Sequence, residues 1–152
     1  MNRLTLIVVF GFLGAVGLAV SPAASRPAAA AGCVQIYRIY YNSPGSDTGS
    51  NTSLNAEWIQ LKNYCSTGKS LYAWKIKDLA GHMYTFGTYT LRAYSYVKVH
   101  TGRGTNTTTD RYWGKSWYIW NNTGDKAYLR NSAGTLMDYC AYTGTSAGYK
   151  YC

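Results

Sequence analysis

The chain has 152 residues, with 15 Lys+Arg against 6 Asp+Glu and a formal net charge of +9 at pH 7. Behind a short leader, the remaining length suffices for one domain that buries its own core without relying on a metal ion. The basic residues are scattered along the chain. This balance favours anionic partners such as teichoic acids, nucleic acid or lipid headgroups, although solubility alone accounts for it equally well.

The first 31 residues have the layout of a secretory signal peptide. Asn2 and Arg3 supply a positive start, residues 4–20 carry no charge, and a stretch rich in small residues continues to Ala31. The uncharged run of about 17 residues is shorter than the roughly 20 that a membrane-spanning helix needs. We therefore predict a signal peptide over residues 1–31 and a secreted protein with no transmembrane span once the leader is removed.

A lipid anchor at Cys33 is the alternative to free secretion. The small residues 30–32 before this cysteine resemble a lipoprotein cleavage site, at which the thiol would be acylated. Arg26 and Pro27 lie between the apolar run and Cys33, which is unlike such a site.

Four cysteines follow the leader, and an even number in an exported chain predicts two disulfides. Cys140 and Cys152 flank a short segment rich in Gly, Thr and Ser. Of the three connectivities that four cysteines allow, a local closure of this segment is the economical one, and it leaves Cys33 to pair with Cys65. Residues 141–152 then form a C-terminal extension closed by a disulfide.

Beyond the leader, short alternating runs of apolar and polar residues recur with turn signals between them, and helix-period patterns are absent. This spacing is typical of an all-β sandwich or barrel. In the first run the apolar phase shifts between Ile36 and Ile39, which predicts a β-bulge. The runs cover residues 34–41, 57–63, 71–77, 83–86, 94–100, 126–130 and 135–139, with a long loop at 42–51, a Gly-rich loop at 101–110 and an aromatic segment at 112–120.

Parity within each run predicts the side chains that face the core. Trp74 is expected to fill its centre, since a sandwich core about 10 Å thick accepts one large ring. Glu57 shares the parity of core residues and needs a partner, for which a structural ion pair is the simplest reading and a catalytic acid the alternative. The expected core-facing sets are Ile59 with Leu61, Tyr72 with Trp74 and Ile76, Tyr84 with Phe86, Val97 with Val99, and Ala127 with Leu129.

Two neighbouring runs carry a resemblance to a known family. The segment Glu57-Trp58-Ile59-Gln60-Leu61-Lys62-Asn63 is similar to the acidic-Trp-Ile-x-Leu-x-Asn strand of the lamin-tail domain. The family's later markers also occur in order in this chain, as Leu71, Trp74, Asp78, Gly81 and Phe86, and then as a closing hairpin over residues 120–138 with Gly124-Asp125 in its turn.

The resemblance extends from about Ile36 to Asp138. It implies an immunoglobulin-like β-sandwich over residues 33–140, of the type found in nuclear lamins and in secreted bacterial proteins. It also implies a non-catalytic binding or scaffolding module, which in this family is often attached to nucleases or other secreted hydrolases. The tyrosine content is unusually high for the family, so the resemblance names no ligand.

Catalytic constellations are not evident in the sequence. Neither histidine lies in a recognisable nucleophile motif, residues 102–104 lack the strand-to-helix context of a phosphate loop, and Glu57 has no second carboxylate beside it. His82 and His100 flank no cysteine pair with zinc spacing. We therefore expect no enzyme, no metal and no cofactor.

Aromatic residues beside cations predict a binding surface in the second half of the chain. One predicted strand carries, at alternate positions, Tyr94, Tyr96, Lys98 and His100, and residues 111–118 also combine rings with cations. Rings and cations together can stack on sugars or bases and hold an anionic backbone, although exposed tyrosine is also ordinary on a β-sheet. The expected binding residues are Arg103, Arg111, Trp113, Lys115, Trp117 and Tyr118.

These patterns predict a secreted module that binds a cell-wall polymer or another extracellular polyanion. Two alternatives stay open. A nucleic-acid-binding module would lose affinity steeply and linearly in log–log form as salt rises. A structural surface protein would assemble with itself or other envelope proteins through exposed edge strands.

Overall fold

The computed structural model describes residues 32–152, and the predicted signal peptide over residues 1–31 lies outside the described residues. The described chain is nearly all β-structure arranged as a sandwich, which confirms the predicted fold class. The strands are β1 Val34–Tyr40, β2 Trp58–Asn63, β3 Lys69–Ser70, β4 Lys75–Lys77, β5 Met83–Thr85, β6 Thr90–Leu91, β7 Tyr96–His100, β8 Asp110–Tyr112, β9 Gly124–Arg130, β10 Leu136–Thr143 and β11 Tyr149–Tyr151, and the helix α1 is Asn51–Ala56.

Two main sheets form the layers of the sandwich. One has five strands in the order β11-β1-β2-β7-β8, and the other has four in the order β10-β9-β4-β5, while β3 and β6 form a separate two-stranded ladder. Neighbouring strands are antiparallel except β7 and β8, which run parallel. Because β11 pairs with β1, the two ends of the described chain meet in the same sheet.

Apolar side chains from both sheets meet in one core. The predicted inward pairs Ile59 with Leu61, Val97 with Val99 and Ala127 with Leu129 are all buried. The prediction for the central ring is wrong. Trp120 is fully buried, whereas Trp74 is partly buried and packs against the core from its margin.

Residues 71–74 form a turn rather than the first half of a strand. The Trp74 amide donates to the Leu71 carbonyl at 2.9 Å, and Ala73 has a φ of 59° in the left-handed region. Strand alternation does not continue through such a turn, so Tyr72 is 63% exposed instead of facing the core. Of the predicted run over residues 71–77, only β4 is a strand.

The predicted bulge in β1 is present. The register with β2 shifts between Ile36 and Arg38, and both Ile36 and Ile39 remain buried. Two consecutive residues, Tyr37 and Arg38, therefore leave the core and lie on the outer face of the five-stranded sheet.

The helix α1 begins at the end of the predicted loop over residues 42–51 and ends before the predicted strand over residues 57–63, in a segment for which the sequence predicted no element. Its N-cap is Ser50, whose side chain accepts a hydrogen bond from the Ser53 amide at 3.3 Å. Leu54 is its buried residue. Six residues are too few for a 3.6-residue period to stand out. No helix in the described part of the chain is long and apolar enough to cross a membrane.

Two disulfides join Cys33 to Cys65 and Cys140 to Cys152, which is the pairing that the sequence favours. A thiol in a disulfide is not free for acylation, so this state of Cys33 is incompatible with a lipid anchor there. Residues 141–143 continue β10 and residues 149–151 form β11. The segment predicted as a C-terminal extension therefore contributes to both sheets.

Candidate binding surface

The six residues predicted to bind a ligand lie in two different environments. Arg103, Lys115, Trp117 and Tyr118 gather beside α1, and we call this group the basic depression. Arg111 and Trp113 pack against core rings instead. The structure therefore does not place the predicted set on one continuous patch.

Contacts with the segment around α1 position the basic depression. The Tyr118 hydroxyl is 2.5 Å from the Ser53 hydroxyl and accepts a hydrogen bond from the Gly49 amide at 3.3 Å. Arg103 and Lys115 line the same shallow cavity, and the Trp117 side chain beside them is 64% exposed. The depression offers two cations and one accessible ring.

Arg111 and Trp113 are engaged within the protein. The Arg111 guanidinium lies 4.0 Å from the centroid of the Tyr89 ring. The Trp113 ring packs between Tyr84 at 5.8 Å and Trp120 at 6.1 Å. Through these contacts, Arg111 and Trp113 belong to the packing around the core. A ligand at the basic depression would not reach the rings that they contact.

A larger cluster of rings and cations covers the outer face of the five-stranded sheet. Of its members, the sequence singled out only Tyr96 and Lys98 as a ring beside a charge. The others come from strands that are distant in sequence and adjacent only in the sheet. We call this cluster the ring–cation face; it consists of Tyr37, Arg38, Tyr40, Trp58, Lys62, Tyr96, Lys98, Tyr149 and Tyr151.

Strand register arranges these side chains in rows across the sheet. One row runs from Tyr149 through Tyr40 and Trp58 to His100, and each neighbouring pair is in direct register. Tyr40 stacks on Tyr149 with centroids 5.7 Å apart and on Trp58 with centroids 5.4 Å apart. This row is therefore a continuous ridge of rings across at least three strands.

The adjacent row carries two cations that flank Trp58. Arg38 pairs with Gln60, which pairs with Lys98, so the cations are two strands, or roughly 10 Å, apart. Both the Arg38 guanidinium and the Lys98 ammonium lie 4.6 Å from the Trp58 ring centroid. Trp58 is only 7% exposed, because these neighbours and Tyr40 cover it.

A third cation, Lys62, lies among three tyrosines. Its ammonium is 4.5 Å from the ring centroid of Tyr64, 5.0 Å from Tyr96 and 5.6 Å from Tyr37. The hydrogen bond with the Tyr96 hydroxyl raises the pKa of Lys62, which keeps the side chain cationic. Cation–π contacts of this kind order a lysine without neutralising it.

Most carboxylates of the described chain point into the protein. Glu57 is fully buried, and its Oε1 accepts from the Thr101 hydroxyl at 2.6 Å and from the Ile119 amide at 2.8 Å. Hydrogen bonds, not the predicted ion pair, therefore hold Glu57. Burial raises its pKa to about 7 against the opposing effect of these hydrogen bonds.

Asp78, Asp125 and Asp138 are also buried, and each binds backbone amides. An acidic side chain that accepts amide hydrogen bonds fixes the backbone around it, either within a turn, as at Asp78, or between distant segments, as at Asp138. The donors are Gly81 and His82 for Asp78, Leu79, Asn121 and Lys126 for Asp125, and Ile36 and Tyr139 for Asp138.

The outward-facing acids are Asp47 and Asp110. Asp110 Oδ1 lies 2.9 Å from His100 Nε2, and His100 Nδ1 lies 2.7 Å from the Asn55 carbonyl oxygen. Although burial opposes it, hydrogen bonds from Thr109 and His100 lower the pKa of Asp110. The imidazole of His100 therefore links Asp110 in β8 to the last turn of α1.

The fold thus separates the two signs of charge. Of the 15 Lys and Arg residues in the chain, all except Arg3 and Arg26 lie in the described part, and none of these is buried. Four of the 6 acids are buried. The surface consequently carries a larger excess of positive over negative side chains than the composition of the chain indicates.

The sequence model of the Lamin Tail Domain family matches residues 27–144. This range includes both layers of the sandwich from β1 to β10 and the segment that carries Glu57 and Trp58. A comparison with curated proteins finds no match. The family is one of non-enzymatic immunoglobulin-like domains, and its model matches most of the chain. The protein therefore belongs to the lamin tail domain family.

Proposed function

We propose that this protein is a secreted, non-catalytic module that binds a linear anionic polymer of the cell envelope through the ring–cation face. One observation carries the proposal. Four of the six acids are turned inward, where they accept hydrogen bonds from backbone amides, while ordered cations occupy the outer face of a sheet on which Asp110, in register with Lys98, is the exception. A surface of one sign attracts a polymer of the opposite sign over about a Debye length, roughly 8 to 10 Å at physiological salt.

The cations of this face are ordered before any ligand arrives. Arg38 contacts the Trp58, Tyr149 and Tyr151 rings and donates from Nη1 to the Tyr151 hydroxyl at 2.9 Å. Lys62 and Lys98 are likewise held by rings. Preorganisation lowers the conformational entropy lost on binding. Rings, unlike carboxylates, leave the positive charge available to a ligand.

Ring exposure favours a polymer without nucleobases. A single-stranded nucleic acid is held by bases stacked on open ring faces, and the central ring Trp58 is covered by its neighbours. The accessible rings lie at the edge of the sheet, where Tyr151 is 50% and Tyr149 is 38% exposed. The cations at the centre of the face can bind phosphodiesters, and the rings at its edge can contact polyol or sugar units. This combination suits a polymer in which such units are joined by phosphodiesters.

Export is part of the proposal. The leader pattern over residues 1–31 supports it, as do the two disulfides, because disulfides persist in oxidising compartments outside the cytosol. A wall polymer that carries phosphodiesters is found in that same location. The proposed ligand and the proposed destination of the protein are therefore consistent.

Binding to poly(glycerol phosphate), a wall-type polymer, tests the proposal. The full chain is expressed, the exported protein is purified, and its affinity is measured across a range of salt concentrations. The variant R38A/K62A/K98A should bind at least about tenfold more weakly, with a log–log salt slope shallower by about three. The matched variant K69A/R92A/R103A removes the same charge elsewhere and should bind within about threefold of the parent.

The control also tests the basic depression, because Arg103 belongs to it. Equal losses in the two variants would mean that total charge matters and the ring–cation face does not. Isolated cell walls and duplex DNA are run as further ligands. A protein that prefers DNA at every salt concentration would be a nucleic-acid-binding module and would overturn the envelope proposal.

A further inference from the structure

The outer face of the four-stranded sheet also carries cations. Inward residues of its strands, including Ile76, Ala127 and Leu129, are fully buried, so the alternate positions project outward. We call the outward set the second basic face; it consists of Lys75, Lys77, Lys126, Tyr128 and Arg130.

Register brings these side chains together. Lys75 pairs with Arg130 and Lys77 with Tyr128 across β4 and β9. The Lys126 ammonium lies 5.0 Å from the Tyr128 ring centroid and 4.3 Å from that of Tyr139. The second basic face therefore gathers four cations on a different sheet, and rings order one of them, Lys126.

Carboxylates do not offset this charge. Asp125 lies in β9 and Asp138 in β10, and both are turned into the protein, where they accept hydrogen bonds from backbone amides. Among the described residues of β4, β5, β9 and β10, no acid lies on the outward side.

The two faces belong to opposite sides of one rigid sandwich. Sheets in a sandwich pack about 10 Å apart, and outward side chains on both sides bring the two charged surfaces to roughly 20 Å apart or more. The Cys140–Cys152 disulfide further fixes β10 of one sheet to the end of β11 in the other. A polymer lying on one face cannot contact the other without passing around an edge.

We propose that the protein is bivalent: each sheet binds a separate strand of the same kind of anionic polymer, so that one molecule cross-links two strands. This inference rests on the proposed function for its first face and adds a second, independent face. The occupant is assigned by charge complementarity, since four cations and no carboxylate meet a polyanion there. Cross-linking also raises avidity on an immobilised polymer, because the second contact forms at high local concentration.

Bead clustering tests the inference directly. Two populations of beads with different fluorophores are coated with poly(glycerol phosphate), and the exported protein is added below saturation. The parent protein should produce mixed clusters. The variant K75A/K77A/K126A should retain bead binding within about threefold but lose at least about tenfold of the clustering. Arg130 is left intact because its Nη1 donates to the Gly134 carbonyl at 2.9 Å and holds a turn.

Two further variants make the result specific. K75R/K77R/K126R keeps the charge and should cluster beads like the parent, and K69A/R92A/R103A should do so within about threefold. Circular dichroism and thermal unfolding establish that each variant is folded. Mixed clusters with K75A/K77A/K126A at the parent's level would overturn the inference, and would point to self-association of the protein as the source of bridging.

The failure of the proposed function looks different from the failure of bivalency. If no protein binds the coated beads, the first face has no such ligand and both proposals fall. If the parent binds but does not cluster beads at any ratio of protein to polymer, only bivalency is lost. If R38A/K62A/K98A still binds beads at the parent's level through the second basic face, the proposed function has been assigned to the wrong sheet.

Discussion

Cys140 and Cys152 are joined across the two layers of the sandwich, the first within β10 and the second directly after β11. All three residues of β11 are exposed, so no buried side chain anchors this edge strand. Its attachments are the contacts of Tyr149 and Tyr151 on the outer face, the ladder to β1, the hydrogen bond from the Cys152 amide to the Tyr37 carbonyl at 3.0 Å, and the disulfide. Since β11 contributes Tyr149 and Tyr151, the disulfide maintains the edge of the ring–cation face.

Removing this disulfide should weaken binding as well as stability. The variant C140S/C152S opens a link between residues 12 apart and is expected to lose about 3 kcal/mol of unfolding free energy. Loss of Tyr149 and Tyr151 from the face should reduce affinity for poly(glycerol phosphate). Urea unfolding and a binding titration at a temperature where the variant remains folded measure the two effects.

The other disulfide provides the control. C33S/C65S opens a link between residues 32 apart and should cost about 4 kcal/mol on the same chain-entropy estimate. It leaves β11 attached, so the folded variant should bind like the parent. A greater loss of binding in C33S/C65S than in C140S/C152S would contradict the role assigned to β11.

Stability should fall as pH rises through neutrality because of Glu57. Its pKa is raised from an ordinary 4.5 to about 7, so the folded protein takes up a proton more readily than the unfolded chain. This contribution to stability is fully present below about pH 4.5 and is lost as pH rises through 7, with a total of up to about 3 kcal/mol.

Glu57→Gln isolates this contribution. Glutamine keeps an acceptor for Thr101 and Ile119 and cannot ionise. The difference in unfolding free energy between the parent and the variant, measured in urea at pH 5 and pH 8, should shift in favour of the variant at pH 8. Parallel pH profiles for the two proteins would refute the assignment, because every other titrating group is common to both.

Trp58→Leu should weaken polyanion binding and also destabilise the fold. Leucine still fills much of the covered site but removes the ring that lies 4.6 Å from both Arg38 and Lys98. Two cation–π contacts of about 0.5–1 kcal/mol each are lost from the folded protein. Because these contacts also order Arg38 and Lys98 for a ligand, affinity should fall by about threefold or more. Trp117→Leu, at an exposed ring of the basic depression, is the matched control and should leave affinity for poly(glycerol phosphate) unchanged.

Buried and exposed acids should differ sharply in their importance for stability. Asp125 accepts hydrogen bonds from the Leu79, Asn121 and Lys126 amides, so Asp125→Ala leaves several donors unmet and should cost about 3 kcal/mol or more. Asp47→Ala, at an exposed acid that accepts from the Asn122 amide group at 3.1 Å, should change stability by less than about 0.5 kcal/mol. Thermal unfolding of the two variants makes the comparison.

Local patterns in the sequence predict the parts of the fold that local chemistry decides. Ile59, Leu61, Val97 and Val99 follow simple alternation, and the bulge of β1 is visible as a phase shift. Tyr72 does not face the core as predicted, because the left-handed Ala73 interrupts the alternation of Tyr72, Trp74 and Ile76 in the sequence. A six-residue helix and a parallel partner for β7 leave no periodic signal at all.

The binding surface was harder to predict than the core, because it depends on which strands are neighbours. Tyr40, Trp58 and Tyr149 form one row only because β11 returns to β1 and β1 pairs with β2. Each strand alone shows a ring and a charge on its outward side, which is ordinary for a β-sheet. The predicted residues 103–118 are close in sequence, and the sandwich separates them.

The inward placement of the carboxylates makes the external charge of this protein nearly independent of its surroundings. The carboxylates are mostly inside, and lysine and arginine side chains in general lose their protons only at about pH 10 or beyond. Acidification therefore adds little positive charge outside, and mild alkalinity removes little. An exported protein is exposed to media of varying pH. The affinity of this protein for a polyanion would therefore depend on its fold and on the salt concentration rather than on pH.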